Sequence, residues 1–253
     1  EELPSGGKSI VHFQYGSILS WLTRTGILYA GPQKGGNEEA AADIYLSPIK
    51  GDLRDREDNR LQGIGDANEL VEILRRKSII PDDNQSRPRE RIFQSGSGEV
   101  TVNDNREEIS VVAPRIEAMT VKTSEAAALS SLTIQNASIP ALIAVISQDD
   151  ASIDESRRLL LVIATDAVNS GMRFSSPKRL ELESIGKLPV LYRCGKFELG
   201  LKSAMKNPVL YALRCDGTRI EEIPLEAGGG RLSIQIDTTV LGEPAVFFEL
   251  AEK

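Results

Sequence analysis

The chain has 253 residues, room for one large domain or two small ones, with 40% hydrophobic and 26% charged residues, ordinary values for a chain that folds around a core. A single histidine and 5% aromatics exclude histidine-rich metal sites and any triad not built on His12, and they disfavour sugar-stacking platforms. The net charge of -7 argues against a dedicated nucleic-acid partner, because neutralising phosphates takes a surplus of Lys and Arg.

Near the start, Gly6-Gly7-Lys8-Ser9 looks like the tail of a phosphate-cradling loop, but Glu2 stands where the motif needs its first glycine. Apolar residues from Ile18 and Trp21 to Leu28 recur at helical spacing and predict an amphipathic helix over 15–28, broken near Gly26. A loop follows at 31–37 (GPQKGGN) and an extended stretch at 43–49, ending at Pro48. Asp52, Asp55, Glu57 and Asp58 lack calcium-loop spacing and alternate with arginines, as in a solvated, self-paired loop. Asp66 is placed to cap a second helix carrying Leu70, Val71, Ile73 and Leu74, with Arg75, Arg76 and Lys77 at the end that favours cations. Pro81 stops it, and 82–90 (DDNQSRPRE) is the best linker candidate, its basic run 87–91 solvated.

From residue 92 the period changes to two and β-branched residues dominate. Strands are predicted at 99–102, 109–112, 118–121, 132–135, 141–147, 158–165, 190–193, 197–201, 209–213, 232–236 and 245–250. Asn103-Asp104-Asn105, Cys215-Asp216-Gly217-Thr218 and Gly228-Gly229-Gly230 have the composition of hairpin turns. The expected fold is therefore mainly β: an antiparallel β-sandwich over 92–253, preceded by a smaller helical connector segment over 1–91. Cys194 and Cys215, on neighbouring strand-like segments, are expected as buried free thiols, or as a bridge in an oxidising compartment.

Few side chains suggest chemistry. Asp149, Asp150, Asp154 and Glu155 gather in a loop between two strands and supply the oxygen ligands calcium prefers, which makes them the candidate metal site; the alternative is an ordinary polar connection. Calcium is the one cofactor the sequence raises. His12 lacks a nucleophile elbow of the Gly-x-Ser-x-Gly type, and no catalytic pair is placed by spacing. Asn84 and Asn136 each open an Asn-x-Ser sequon. The longest apolar runs, such as 159–164, fall far short of the roughly 20 residues a bilayer demands, so no membrane partner is expected.

Residues 156–172 (SRRLLLVIATDAVNSGM), preceded by 93–100 (FQSGSGEV) and 109–115 (ISVVAPR), resemble the region that follows the catalytic barrel in bacterial cellulase-like glycoside hydrolases. The resemblance extends upstream, where 15–29 is similar to the last barrel helix and 61–80 to the segment leading to the sandwich. It implies a non-catalytic accessory region of a retaining glycosidase, whose two catalytic glutamates would precede residue 1, so no catalytic residue carries over. The implied partner is a barrel of the same polypeptide, and the implied location is periplasmic or extracellular. The alternatives are a module that binds polysaccharide and a cell-surface interaction sandwich.

Overall fold

A computed structural model describes residues 9–13, 28–30, 42–46, 71–72, 75–76, 80–177, 179 and 181–253, the first three stretches by their backbone. The chain divides into two compact units, residues 1–111 and 112–253.

In the first unit, β1 (Ser9–Phe13), β2 (Leu28–Ala30) and β3 (Ala42–Leu46) form an antiparallel sheet in the order β1–β3–β2. The extended stretch expected near 43–49 is thus β3, and His12 sits in β1 opposite Asp43. Of the expected first helix, only Leu28 is described, and it is paired with Leu46 in the sheet rather than helical. Trp21, the loop at 31–37, the acidic residues 52–58 and the Asp66 cap lie outside the described residues. Val71, Glu72, Arg75 and Arg76 are helical, inside the expected second helix.

Residues 82–90 depart from the expected solvated linker. Arg75 donates from Nη2 to the carbonyls of Asn84 (2.5 Å) and Ser86 (3.1 Å), and its Nη1 pairs with Glu72. Asn84 and Ser86 are buried; Asn84 donates to the Ser95 carbonyl and accepts from the Ser86 amide. Short polar side chains here bond neighbouring backbone instead of water, and this ties the segment down. A single 3-10 turn over Pro88–Glu90 leads into the antiparallel meander of β4 (Ile92–Gln94), β5 (Val100–Asn103) and β6 (Glu108–Ala113). The turn expected at Asn103-Asp104-Asn105 joins β5 to β6.

The second unit is built of antiparallel strands: β7 (Ile116–Val121), β8 (Ala127–Ala128), β9 (Leu132–Ala137), β10 (Ala141–Ser147), β11 (Arg158–Ala164), β12 (Ala167–Ser170), β13 (Arg173–Phe174), β14 (Leu182–Ser184), β15 (Lys187–Tyr192), β16 (Lys196–Lys202), β17 (Pro208–Leu213), β18 (Arg219–Ile223), β19 (Leu225–Gly228), β20 (Arg231–Asp237) and β21 (Phe247–Glu252). One sheet runs β18–β17–β21–β11–β10–β7 and another β19–β20–β16–β9–β8. Alternation explains their inner faces: in β11, Leu159, Leu161 and Ile163 are buried while Leu160 and Val162 are half-buried, and β20 buries Leu232, Ile234 and Ile236 in the same way. Both sets belong to one hydrophobic core, in which Leu159, Leu161 and Leu250 of the first sheet face the same small gap as Leu199, Leu201 and Ile234 of the second.

The glycine and aspartate turns fall where expected. Cys215-Asp216-Gly217-Thr218 closes β17 onto β18, with the Thr218 amide donating to Asp216 Oδ1 (2.9 Å) and Gly217 at φ +86°. Gly229 and Gly230, both at positive φ, close β19 onto β20. The thiols are a correction: Cys194 and Cys215 are free and exposed. Cys194 follows β15 and Cys215 occupies the tip of the β17–β18 turn, and these strands belong to different sheets, so neither burial nor bridging follows from their spacing.

Candidate interaction arm

One strand breaks the burial rule. Every residue of β15 is exposed, although its sequence, KLPVLY, is mostly apolar. It belongs to an arm, residues 166–193, that leaves β11 and returns to β16 after forming two separate two-stranded ribbons, β12–β15 and β13–β14.

The base of the arm is fixed by polar contacts. The Arg193 amide donates to the Asp166 carbonyl (2.8 Å) and Thr165 Oγ1 donates to the Arg193 carbonyl (2.6 Å). Arg179 grips Asp166 with both Nη atoms, at 2.7 and 2.6 Å, and its guanidinium lies 5.5 Å from the centre of the Phe174 ring. The Arg179 hydrogen bond holds the Asp166 carboxyl below its ordinary value, and the same contact raises Arg179. Within the β12–β15 ribbon, Ala167 pairs with Tyr192, Val168 with Leu191 and Asn169 with Val190, so consecutive pairs face opposite ways and both faces are apolar.

The stretch between the two ribbons is equally well determined. Asn169 Nδ2 donates to the Ile185 carbonyl (3.0 Å), and Gly186 adopts φ +72°. A side chain at residue 186 would place its Cβ 2.5 Å from the Ser170 carbonyl oxygen and 2.6 Å from the Met172 nitrogen, so glycine alone fits where the chain passes the Ser170–Met172 backbone. On this scaffold stand Leu182, Ile185 and Leu188, 52%, 66% and 78% exposed, with Val190, Leu191 and Tyr192 also exposed behind them. A ribbon of two strands is at best marginally stable alone in water, and a cluster of large apolar side chains in solvent is the ordinary signature of an interaction surface.

The carboxylates expected to hold calcium are engaged separately. Asp149 accepts from the amides of Arg157 (2.9 Å) and Ala151 (3.2 Å) and from Ser147 Oγ (2.9 Å). Asp150, fully exposed, pairs with Arg115 at 3.1 Å; Asp154 accepts from Ser152 Oγ at 2.6 Å; Glu155 is exposed. Among the described residues, no three His, Cys, Asp or Glu side chains converge on a point that suits a metal ion. Asp149 has a structural part in this loop. The Arg157 amide lowers its pKa, against desolvation and with help from Ser147, from 3.8 to about 2. A carboxyl depressed in the folded state contributes stability above its unfolded pKa and loses it as pH falls through the folded one. Asp149→Asn is therefore expected to be less stable than the parent at neutral pH, with the two denaturation curves converging as the pH drops from about 4 to about 2.

Two buried carboxylates carry more weight than the acidic loop. Glu117, 2% exposed on the inner face of β7, accepts from the Ser131 amide with both oxygens (2.8 and 2.9 Å) and from the Leu132 amide (2.8 Å), tying one sheet to the first residues of β9 in the other. Its position was accessible from pattern alone, because the period that turns Met119 and Val121 inward turns Glu117 inward as well. Glu249 in β21 accepts from Arg158 Nε and Arg219 Nε, each at 2.7 Å, and Arg219 also lies 4.2 Å from the centre of the Tyr211 ring. Burial pushes the Glu249 carboxyl up, but the guanidinium groups of Arg219 and Arg158 outweigh it and hold it below its usual range. No local signal joins these partners, since they stand on β11, β18 and β21.

No family of known proteins, no curated protein and no solved structure matches this chain.

Proposed function

We propose that this chain is a non-catalytic interaction module, an antiparallel β-sandwich that presents the 166–193 arm to a protein partner. The observation that carries this reading is β15, an apolar strand without a buried residue, held in place by Asp166–Arg179, Asn169 and Gly186 rather than by a core of its own. The two buried glutamates among the described residues, Glu117 and Glu249, are held in structural contacts, which suits a module of this kind. A glycosidase barrel, the partner implied by the resemblance in sequence, is one protein surface the arm would suit. A polysaccharide suits it less, because the most exposed large side chains of the arm, Leu182, Ile185 and Leu188, are aliphatic.

The test is genetic and uses the arm as its own control. In the source organism, Ile185→Glu with Leu188→Glu is expected to reproduce the deletion phenotype while the protein accumulates and melts like the parent, and Val240→Glu, at an equally exposed apolar site outside the arm, is expected to be silent. Full function of the arm variant overturns the reading.

A further inference from the structure

One leg of the arm has an internal symmetry that points to its occupant. Residues 182–188 read Leu-Glu-Ser-Ile-Gly-Lys-Leu, apolar at both ends and in the middle, acidic on one side of the centre and basic on the other. A two-fold axis through a second copy at Ile185 reverses the direction of the segment, as any two-fold axis perpendicular to a chain must. It then sets Ile185 against Ile185, Leu182 against Leu188 and Glu183 against Lys187, each of the last two contacts occurring twice. The residues matched in this way are the three most exposed large apolar residues of the arm. Glu183 and Lys187 are exposed, and neither is seen in an ion pair with another described residue, whereas Asp166 and Arg179 of the same arm pair with each other.

We infer that the partner of the arm is a second copy of this chain, joined through an isologous contact centred on Ile185. The inference rests on the reading of the arm as an interaction surface and adds its occupant. Charge complementarity selects a copy over an unrelated protein. A foreign surface would have to supply its own acid and base at the right spacing, while the segment already carries the complement of itself in reverse order. The segment is also held so that it docks without a large ordering cost, because the Asn169 contact and the Gly186 close approach fix its backbone before any partner arrives.

Sedimentation of the purified full chain at rising concentration tests this. The parent is expected to form a dimer. Ile185→Glu and Leu188→Glu are each expected to sediment as monomers at every concentration with an unchanged far-UV circular dichroism spectrum; both sites are so exposed that neither change disturbs the core. Glu183→Lys and Lys187→Glu each place like charges opposite one another twice, and each is expected to weaken the dimer by about tenfold or more. Mixed in equal amounts, these two variants restore both opposite-charge contacts and are expected to form a heterodimer close to the parent in affinity. A parent that stays monomeric, a dimer indifferent to Leu188→Glu, or a mixture no tighter than its separate components overturns the inference. A monomeric parent whose arm variant still fails in the cell would leave the arm as the interaction surface and assign its partner elsewhere.

Discussion

Phe248→Ala is expected to cost about 3–5 kcal/mol of folding free energy, the range for removing a large aromatic side chain from a packed core. Phe248 is fully buried in β21, the strand between β11 and β17. Its inward neighbours across the sheet are Leu161 on one side and Ala212 on the other, so the ring fills space that a small residue leaves open. The readout is the urea midpoint at constant m-value, compared with Leu188→Ala, which removes a side chain 78% exposed and is expected to shift stability by no more than about 0.5 kcal/mol. An equal shift for the two would contradict the placement of both.

Glu117→Ala is the second large effect, expected at about 2–5 kcal/mol. The change removes three contacts to two backbone amides, Ser131 and Leu132, and leaves both donors without an acceptor at the place where β9 begins. A buried donor left unsatisfied costs roughly 1–3 kcal/mol, and here the Leu132 amide is buried and the Ser131 amide half-buried. Glu117→Gln keeps one oxygen and is expected to lose distinctly less; the difference between the two variants separates hydrogen bonding from packing. Because the carboxylate bridges two sheets, hydrogen exchange at Ser131 and Leu132 should accelerate in Glu117→Ala before the centre of β10 opens. Unchanged exchange at these amides would remove Glu117 from its role as the tie between sheets.

Much of the second unit was readable because its strands are half-buried and alternate. The stretch 141–147 folds as a strand over the expected residues, and the Asn-Asp-Asn, Asp-Gly and triple-glycine turns close the hairpins their composition predicts. What escaped the sequence falls into physical classes. β18 (RIEEI) carries charges on an outer strand, and β8, β12, β13 and β14 are too short for a period to register. The Glu249 cluster depends on Arg158 and Arg219, which reach it from other strands, and local pattern does not report non-local pairing. The polar stretch 82–90 reads as solvated because composition does not reveal that Asn84 and Ser86 turn inward onto the backbone of 94–95.

The arm was half legible. Residues 190–193 read as a strand, and β15 over Lys187–Tyr192 is one, but an apolar strand is taken for a core strand unless something shows that no core receives it. Only the structure shows that β15 pairs with β12 alone and that all six of its residues are exposed. The near-palindrome of 182–188 was present in the letters throughout; it acquires meaning once its apolar members are known to be exposed and its charges to be free of one another's company within the chain.

The central claim, that the arm is built to be covered by protein, is tested most directly by placing a photo-crosslinking side chain at Leu188 and, separately, at Val240, both exposed apolar sites, and irradiating living cells of the source organism. The account predicts one discrete adduct from position 188, of the mass of two copies of this chain, and none from position 240. Absence of any protein adduct from position 188, with the chain present at normal levels, would contradict it.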